Sequence, residues 1–403
     1  MGPILKTLQP LQTDETASLE GHPIAHWAVR LLYFFFFAGM GLFFSFINVY
    51  YLSIGLSGVQ IGILGTIGPL VGVLSSILWG MASDRFGRPR LLFSLASLGT
   101  LGAVATLSGV KVFAWIIPTV IWLSLFSSPM PSLMDSTTFR LLGDHPERYG
   151  RYRMAGTVGF ILTSFFSGFL YERMGLQALF PAYGLTIVGY LLSSFALPNT
   201  PIRLHASPFN ELGRLVRQPS WAVFAGSLLI LWIGATGAVS FLGIAVKSMG
   251  GSDRLIGLNW AVAATVELPA MWSSAFLLRR IGALRLINIG FIGYFFRILF
   301  LGLIPAPEWV VAVNVVHVFS YVPILIGSVA YSNELAPPEL KATAQGLLFA
   351  VMSLGSVFGA LVGGWLFDRL GPAGLFRSLS LVALAGFFLF RLGHWVLSRR
   401  RLQ

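Results

Sequence analysis

Apolar residues run along this chain in stretches of about 18 to 28, the length a helix needs to cross about 30 Å of hydrocarbon, with short polar loops between them. About twelve such helices are predicted on this criterion, over 30–53, 60–82, 90–110, 113–140, 151–171, 178–197, 221–246, 255–278, 285–304, 309–332, 343–367 and 374–397. The fold expected is therefore an all-α membrane protein. The opening "MGPILKTLQPLQTDETASLEGHPIAHW" is polar and mixed in charge and lacks the basic-then-apolar order of a cleaved signal, so the first helix is expected to target the chain itself.

Composition sharpens this picture. Only 10% of the residues are charged and 56% are apolar, which excludes a water-soluble globular domain. The net charge of +12 raises the question of nucleic acid. Its distribution answers it, because roughly three quarters of the Lys and Arg fall at the termini and in the even-numbered loops. "SDRFGRPR", "RLHASPFNELGRLVRQPS", "RRIGALR" and "SRRRLQ" are all expected to face the cytoplasm, together with both chain ends, as in a bacterial inner membrane. Their partners would be anionic lipid headgroups, and no nucleic acid is expected. With no cysteine there is no disulfide and no thiolate metal site. No phosphate-cradling loop and no H-E-x-x-H is present either, so neither a metal nor a cofactor is expected.

The chain repeats itself. "GFLYERMG" at 168–175 and "GWLFDRLG" at 364–371 match in residue type, with Glu172 and Asp368 196 positions apart (368 − 172). "DRFG" and "RRIG" place Arg85 and Arg280 at nearly the same offset, 195 (280 − 85). A duplicated six-helix unit is predicted, giving two pseudo-symmetric bundles. Their expected limits are a tail at 1–29, bundles at 30–197 and 220–397, a linker at 198–219 and a basic tail at 398–403. Two bundles related by an axis along the membrane normal enclose a cleft, and rocking can open that cleft to either side. Gly58, Gly62, Gly65, Gly68 and Gly72 in helix two, and Gly355, Gly359 and Gly363 in helix eleven, suit close interfaces, whether mobile or merely tightly packed.

"GMASDRFGRPR" at 80–90 has the form G-x-x-x-D-R-x-G-R and resembles the signature loop of the major facilitator superfamily. The resemblance covers essentially the whole chain. It implies a conformational latch of Gly80, Asp84, Arg85, Gly87 and Arg88. Asp84 could complement a helix N-terminus of the opposite bundle in one conformation, while Arg85 and Arg88 hold the loop at the cytoplasmic face. The alternative is a solvated charged loop. "MDSTTFRLLGDHPERYGRYRMAGTVGF" at 134–160 and "VNVVHVFSYVP" at 313–323 are similar to the lactose and phenylpropionate permease branch. That likeness implies substrate binding by Asp135 and Arg153, a helix-eight carboxylate at Glu267, a helix-nine arginine at Arg297 and a helix-ten histidine at His317. The chain departs from the sugar permease at Ser320, Asn314, Gly243, Phe160 and Ala270, which argues against lactose.

Independently of any family, Asp135, Arg153, Glu267, Arg297 and His317 need an explanation, since an unpaired charge at mid-membrane costs about 2.5 to 3.5 kcal/mol or more. Asp135 is expected to pair with Arg153 and Glu267 with Arg297, leaving His317 as the adjustable proton. A merely stapling ion pair at Asp135 and Arg153, and a hydrogen-bonded bundle histidine at His317, are the structural alternatives. Asn314, Ser320 and Tyr321 lie on the face of His317, and Ser45, Asn48 and Tyr51 share a face of helix one. Trp232, Trp260, Tyr294 and Tyr331 suit either stacking on a solute or packing.

The function expected is secondary active transport of a small organic solute, an aromatic acid, sugar or nucleoside-like molecule, by a proton-coupled symporter acting as a monomer. Asn48, Asp135, Arg153, Phe160, Glu267 and Arg297 would bind the solute, and His317 with Glu267 would carry the proton. A uniporter or exporter of the same fold is the first alternative. A non-transporting sensor or a lipid scramblase is the second. No nucleophile or metal set accompanies the carboxylates, so an enzyme is not expected.

Overall fold

A computed structural model describes residues 23–86, 88–143, 145, 148–197, 215–337 and 340–400. Most of the predicted linker, Gly87 of the predicted latch and the side chains of Asp84 and Arg85 lie outside what is described. Among the described residues the structure is helical, without strands. Ten spans follow in order: α1 (Ile24–Ser53), α2 (Gly58–Ala82), α3 (Pro89–Gly109), α4 (Phe113–Leu142), α5 (Tyr149–Met174), α6 (Leu176–Phe195), α7 (Pro219–Ser248), α8 (Asp253–Trp272), α9 (Ala283–Leu301) and α10 (Trp309–Leu335). The last apolar stretch, Thr343–Arg399, has 57 residues and is too long for one crossing.

Gly371 divides it. Its φ of 67° breaks the helix, and Gly237 of α7 lies against both the Gly359 carbonyl and Leu379, so the chain reverses between those two residues. The two arms are α11 (343–370) and α12 (372–399). Twelve crossings bring residues 23 and 400 to one end of the molecule, here the terminal end. The loops at 54–57 and 249–252 lie at the far end.

The duplication is written into the backbone. Left-handed glycines recur in the predicted register: Gly55 with Gly250 in the loops after α1 and α7, and Gly175 with Gly371 after α5 and α11. In the first half α1 packs on α5 and α6, and α3 on α4 and α6; in the second, α7 packs on α11 and α12, and α9 on α10 and α12. The halves meet through α2 with α11 and α5 with α8. Small residues permit this: Gly62 faces the Ala360 carbonyl, and Gly257 faces Ser164 and Gly168. Gly355, Gly359 and Gly363 turn instead toward α7, where they meet Trp232, Thr236 and Gly237.

Several predicted boundaries move. The helix that carries α1 is already formed at Pro23, before the predicted start at 30, and it accommodates Arg30, whose guanidinium lies over the Trp27 and Tyr152 rings. Span α8 ends at Trp272 rather than 278, where the Ser273 hydroxyl donates to the Pro269 carbonyl. A separate short helix, Ser274–Ile281, then runs with no buried residue, and Trp272 beside it is 93% exposed. The final helix continues to Arg400, past the expected limit of the last bundle.

Candidate functional site

Two polar clusters face inward, one from each half. In the first half Asp135 of α4 accepts hydrogen bonds on one oxygen from the Tyr33 hydroxyl of α1 at 2.5 Å and the Tyr149 hydroxyl of α5 at 3.1 Å. Thr138, one helical turn after Asp135, donates to Tyr33 at 3.2 Å and so holds that phenol in place. Arg153 does not pair with Asp135. Its guanidinium lies 3.7 Å from the centroid of the Phe37 ring, and among the described residues no acid stands within ion-pair distance of it. The expected Asp135–Arg153 pair is thus replaced by phenols on the acid and an aromatic face under the cation, which leaves guanidinium donors uncommitted.

The second half departs from expectation in the same way. Glu267 of α8 meets His317 of α10, Oε1 to Nε2, at 2.7 Å. Arg297 of α9, only 2% exposed, does not reach an acid: its Nε and Nη2 donate to Asn314 Oδ1 at 2.9 and 2.7 Å. Asn314 in turn donates to Asn259 of α8, and both amides are buried. Arg297 is therefore wrapped by a relay of neutral amides. His317 takes the place expected for Arg297 beside Glu267 because α10 is broken there.

That break has a local cause. Pro323 lacks the N–H that would bond the Phe319 carbonyl, and a turn of 3₁₀ helix fills Val316–Phe319. The Ser320 hydroxyl donates to the His317 carbonyl at 3.0 Å and lies 3.3 Å from its Nδ1, while Tyr321 stacks on the imidazole with centroids 5.5 Å apart. Phe319 presents its carbonyl to Gly293 of α9, an approach that admits no side chain.

A cavity of about 630 Å³ lies between α1, α2, α4 and α7. Ser45, Asn48 and Tyr51 line it as their shared face predicts, together with Phe160 and Trp260. Asn48 also donates to the Ser240 carbonyl at 2.9 Å, tying α1 to α7. Gly243 eases that approach, since a Cβ on it would stand 2.9 Å from a Val49 methyl and 3.6 Å from the Ser45 carbonyl. None of the five ionisable residues lines the cavity. Trp232 meets Tyr294 at a tilt and Tyr321 edge to face, whereas Tyr331 packs against Phe224 and Phe390 and so belongs to the core. Of the predicted latch, Gly80 is buried in α2 and Arg88 is exposed just before Pro89, the first residue of α3.

Such clusters inside two six-helix bundles are what a solute carrier would need, and similarity to known proteins agrees. The family model described as the MFS_1 like family matches residues 26–378. The chain belongs to the MFS_1 like family. It is 29% identical to a maltose permease of Geobacillus stearothermophilus over 368 residues, 88% of this chain and 91% of the relative. It is also 29% identical to a probable 3-phenylpropionic acid transporter of Escherichia coli (strain K12) over 378 residues, 90% of this chain and 96% of that one. Among solved structures, the nucleoside transporter NupG superposes with a TM-score of 0.81, covering 92% of this chain and 99% of its own at 14% identity, a likeness of fold. The chain is thus a membrane transporter of the major facilitator type.

Within this MFS_1 like protein, inspection of the sequence alone passes over Tyr33, Tyr149 and Asn259. Asn259 leaves a trace there: it stands eight residues, about two turns, before Glu267 on one face of α8. The two tyrosines carry no such mark, since aromatic residues fill α1 from Tyr33 to Phe37.

Proposed function

We propose that the protein is a proton-coupled symporter that carries a small organic solute with an acidic or acceptor-rich group through a central site. The observation that carries this is Arg153, a half-buried cation with no acid beside it while the nearby Asp135 is satisfied by phenols. A solute carboxylate or hydroxyl would complete the guanidinium's donors. The adjoining cavity, with Phe160 and Asn48 in its wall, would take an apolar body of drug-like size.

The coupling proton would reside on the Glu267–His317 pair, whose 2.7 Å contact lets one proton be shared. Arg297 would supply a fixed positive charge beside that pair. Alternating access then requires that solute and proton together bind the two open states differently. The bundles would be the two halves on either side of the linker at 198–219, and the basic terminal end would face the cytoplasm, with Asp84, Arg85 and Arg88 latching it when it closes. A monomer suffices for this scheme.

The test is uptake into proteoliposomes, with the solute first found by a thermal-shift screen of aromatic acids, sugars and nucleosides. Accumulation of the stabilising solute should follow an imposed pH gradient. Accumulation indifferent to the gradient would leave a uniporter. Lipid movement without any solute dependence would point to a scramblase.

A further inference from the structure

The repeated octapeptide is used differently in its two copies. Glu172, in the first, forms an ion pair with the Arg254 side chain at the start of α8, with the two groups 38% and 49% exposed. Asp368, in the second, accepts from the backbone N–H groups of Gly58 at 2.6 Å and Val59 at 2.8 Å, the first residues of α2. A helix start leaves such donors without partners of its own. The next one, Gln60 N–H, is taken by the Ser57 hydroxyl at 3.2 Å, and the Gln60 side chain returns to Ser57 N–H at 3.0 Å. Helix α2 therefore completes its N-terminus only with an acid from the other half of the molecule. Helix α8 carries the same kind of serine cap, its own Ser252 accepting from Leu255 N–H at 3.3 Å, but among the described residues no acid of the other half accepts from its first backbone N–H groups.

The seat of Asp368 is shaped for it. A Cβ on Gly58 would stand 2.6 Å from Asp368 Oδ1 and 2.7 Å from the Gly364 carbonyl, and one on Gly364 would collide with the Gly58 carbonyl. Further along the pair Gly62 meets the Ala360 carbonyl and Gly65 the Ala360 side chain, whereas Gly68 lines the cavity, where a Cβ on it would meet nothing within 4 Å.

We propose that Asp368 is the principal lock of the far end, joining the halves by capping α2, and that the Glu172–Arg254 pair is secondary. A carboxylate on two backbone donors at a helix N-terminus gains from both hydrogen bonds and from the helix dipole. A half-exposed ion pair must compete with water and salt. The far end opens only when the Asp368 bonds break. This rests on the alternating-access reading above, and it gives the antiparallel pair α2 and α11 one acid for each closed state: Asp368 here, and Asp84 at the terminal end.

The chain has no cysteine, so Ala360→Cys supplies a single thiol in the α2–α11 seam, where Ala360 is buried against Gly62. The rate at which a bulky maleimide labels it in the purified full chain reports far-end opening. Asp368→Asn should raise that rate about tenfold, equivalent to about 1.4 kcal/mol. Glu172→Gln should raise it by less than about twofold. If Asp368→Asn lowers the melting temperature, Gly58→Ala, which keeps the acid but crowds its seat, should give the same acceleration in a folded protein. An unchanged rate in both variants, or a larger effect from Glu172→Gln, overturns the proposal. Solute uptake measured in parallel separates the two readings. Faster labelling without uptake sinks transport and leaves the lock, and uptake with labelling indifferent to Asp368 sinks the lock alone.

Discussion

Each half of the protein holds an acid and a guanidinium among its helices, and neither half pairs them. In the first half the acid is satisfied by two phenols and the cation rests on a ring. In the second the cation is enclosed by amides and the acid is given to a histidine. A direct ion pair would cancel both charges and leave nothing for a solute or a proton to act on. Neutral partners keep each charge in place at a cost in desolvation that only good geometry offsets. The first half thus presents an uncommitted cation, and the second a titratable pair beside a fixed positive charge, which is the division of labour proposed above.

The contrast is broken most severely at the amide relay. Asn314→Leu strands the Arg297 guanidinium in a site where, among the described residues, no other acceptor is bonded to it, and breaking the support of a buried charge costs about 3 to 5 kcal/mol. Thermal unfolding of the purified protein should show this loss. Adding Arg297→Met should restore much of it, because the double change removes charge and partner together. A single Asn314→Leu variant that melts with the parent would mean that Arg297 is satisfied otherwise.

Next in size is the titratable pair. A pH step of about two units can support up to about 100-fold accumulation by one-proton symport. Glu267→Gln should reduce this to simple equilibration while leaving exchange of solute across the membrane intact. Gradient-driven accumulation that survives the substitution removes Glu267 from the proton path. Arg153→Ala comes third: affinity for an acidic solute should fall about 10- to 100-fold, the worth of one or two charge-assisted hydrogen bonds. Stability should hardly change, because only the Phe37 ring contact is lost. A larger loss of stability than of affinity would make Arg153 structural.

Much of the architecture was legible because lipid imposes a length on every apolar run and because duplication repeats landmarks at one offset. Gly175 and Gly371 closed the repeated octapeptides in the sequence and proved to be the left-handed residues that end α5 and α11. The five ionisable residues could be picked out because each interrupts an apolar helix, yet their partners could not. Formal charge balance favoured acid with arginine, whereas side-chain reach and helix rotation decided otherwise. Pro323 offered a warning that α10 would break near His317, but its consequence, bringing the imidazole rather than Arg297 to Glu267, depends on how α8, α9 and α10 pack. Tyr33 and Tyr149 looked like ordinary aromatic residues until the fold placed both hydroxyls on one carboxylate oxygen.

Those two phenols carry the smallest and most discriminating expectation. Tyr33 donates at 2.5 Å and is itself fixed by Thr138, whereas Tyr149 donates at 3.1 Å and stacks on the half-exposed side of Phe139. Tyr33→Phe removes the shorter bond to a charged acceptor and leaves Thr138 without its partner on α1, so a loss of about 1.5 to 3 kcal/mol is expected in thermal unfolding. Tyr149→Phe should cost about 1 kcal/mol or less, because the longer bond contributes less and the ring stack survives. If the carboxylate instead turns to Arg153 when a phenol is lost, both variants would keep their stability and bind an acidic solute more weakly, since the free cation would then be spent inside the protein. Equal stability with undiminished binding in both variants would show that Asp135 does not depend on these hydroxyls, and the first half would lose its claim to differ from the second.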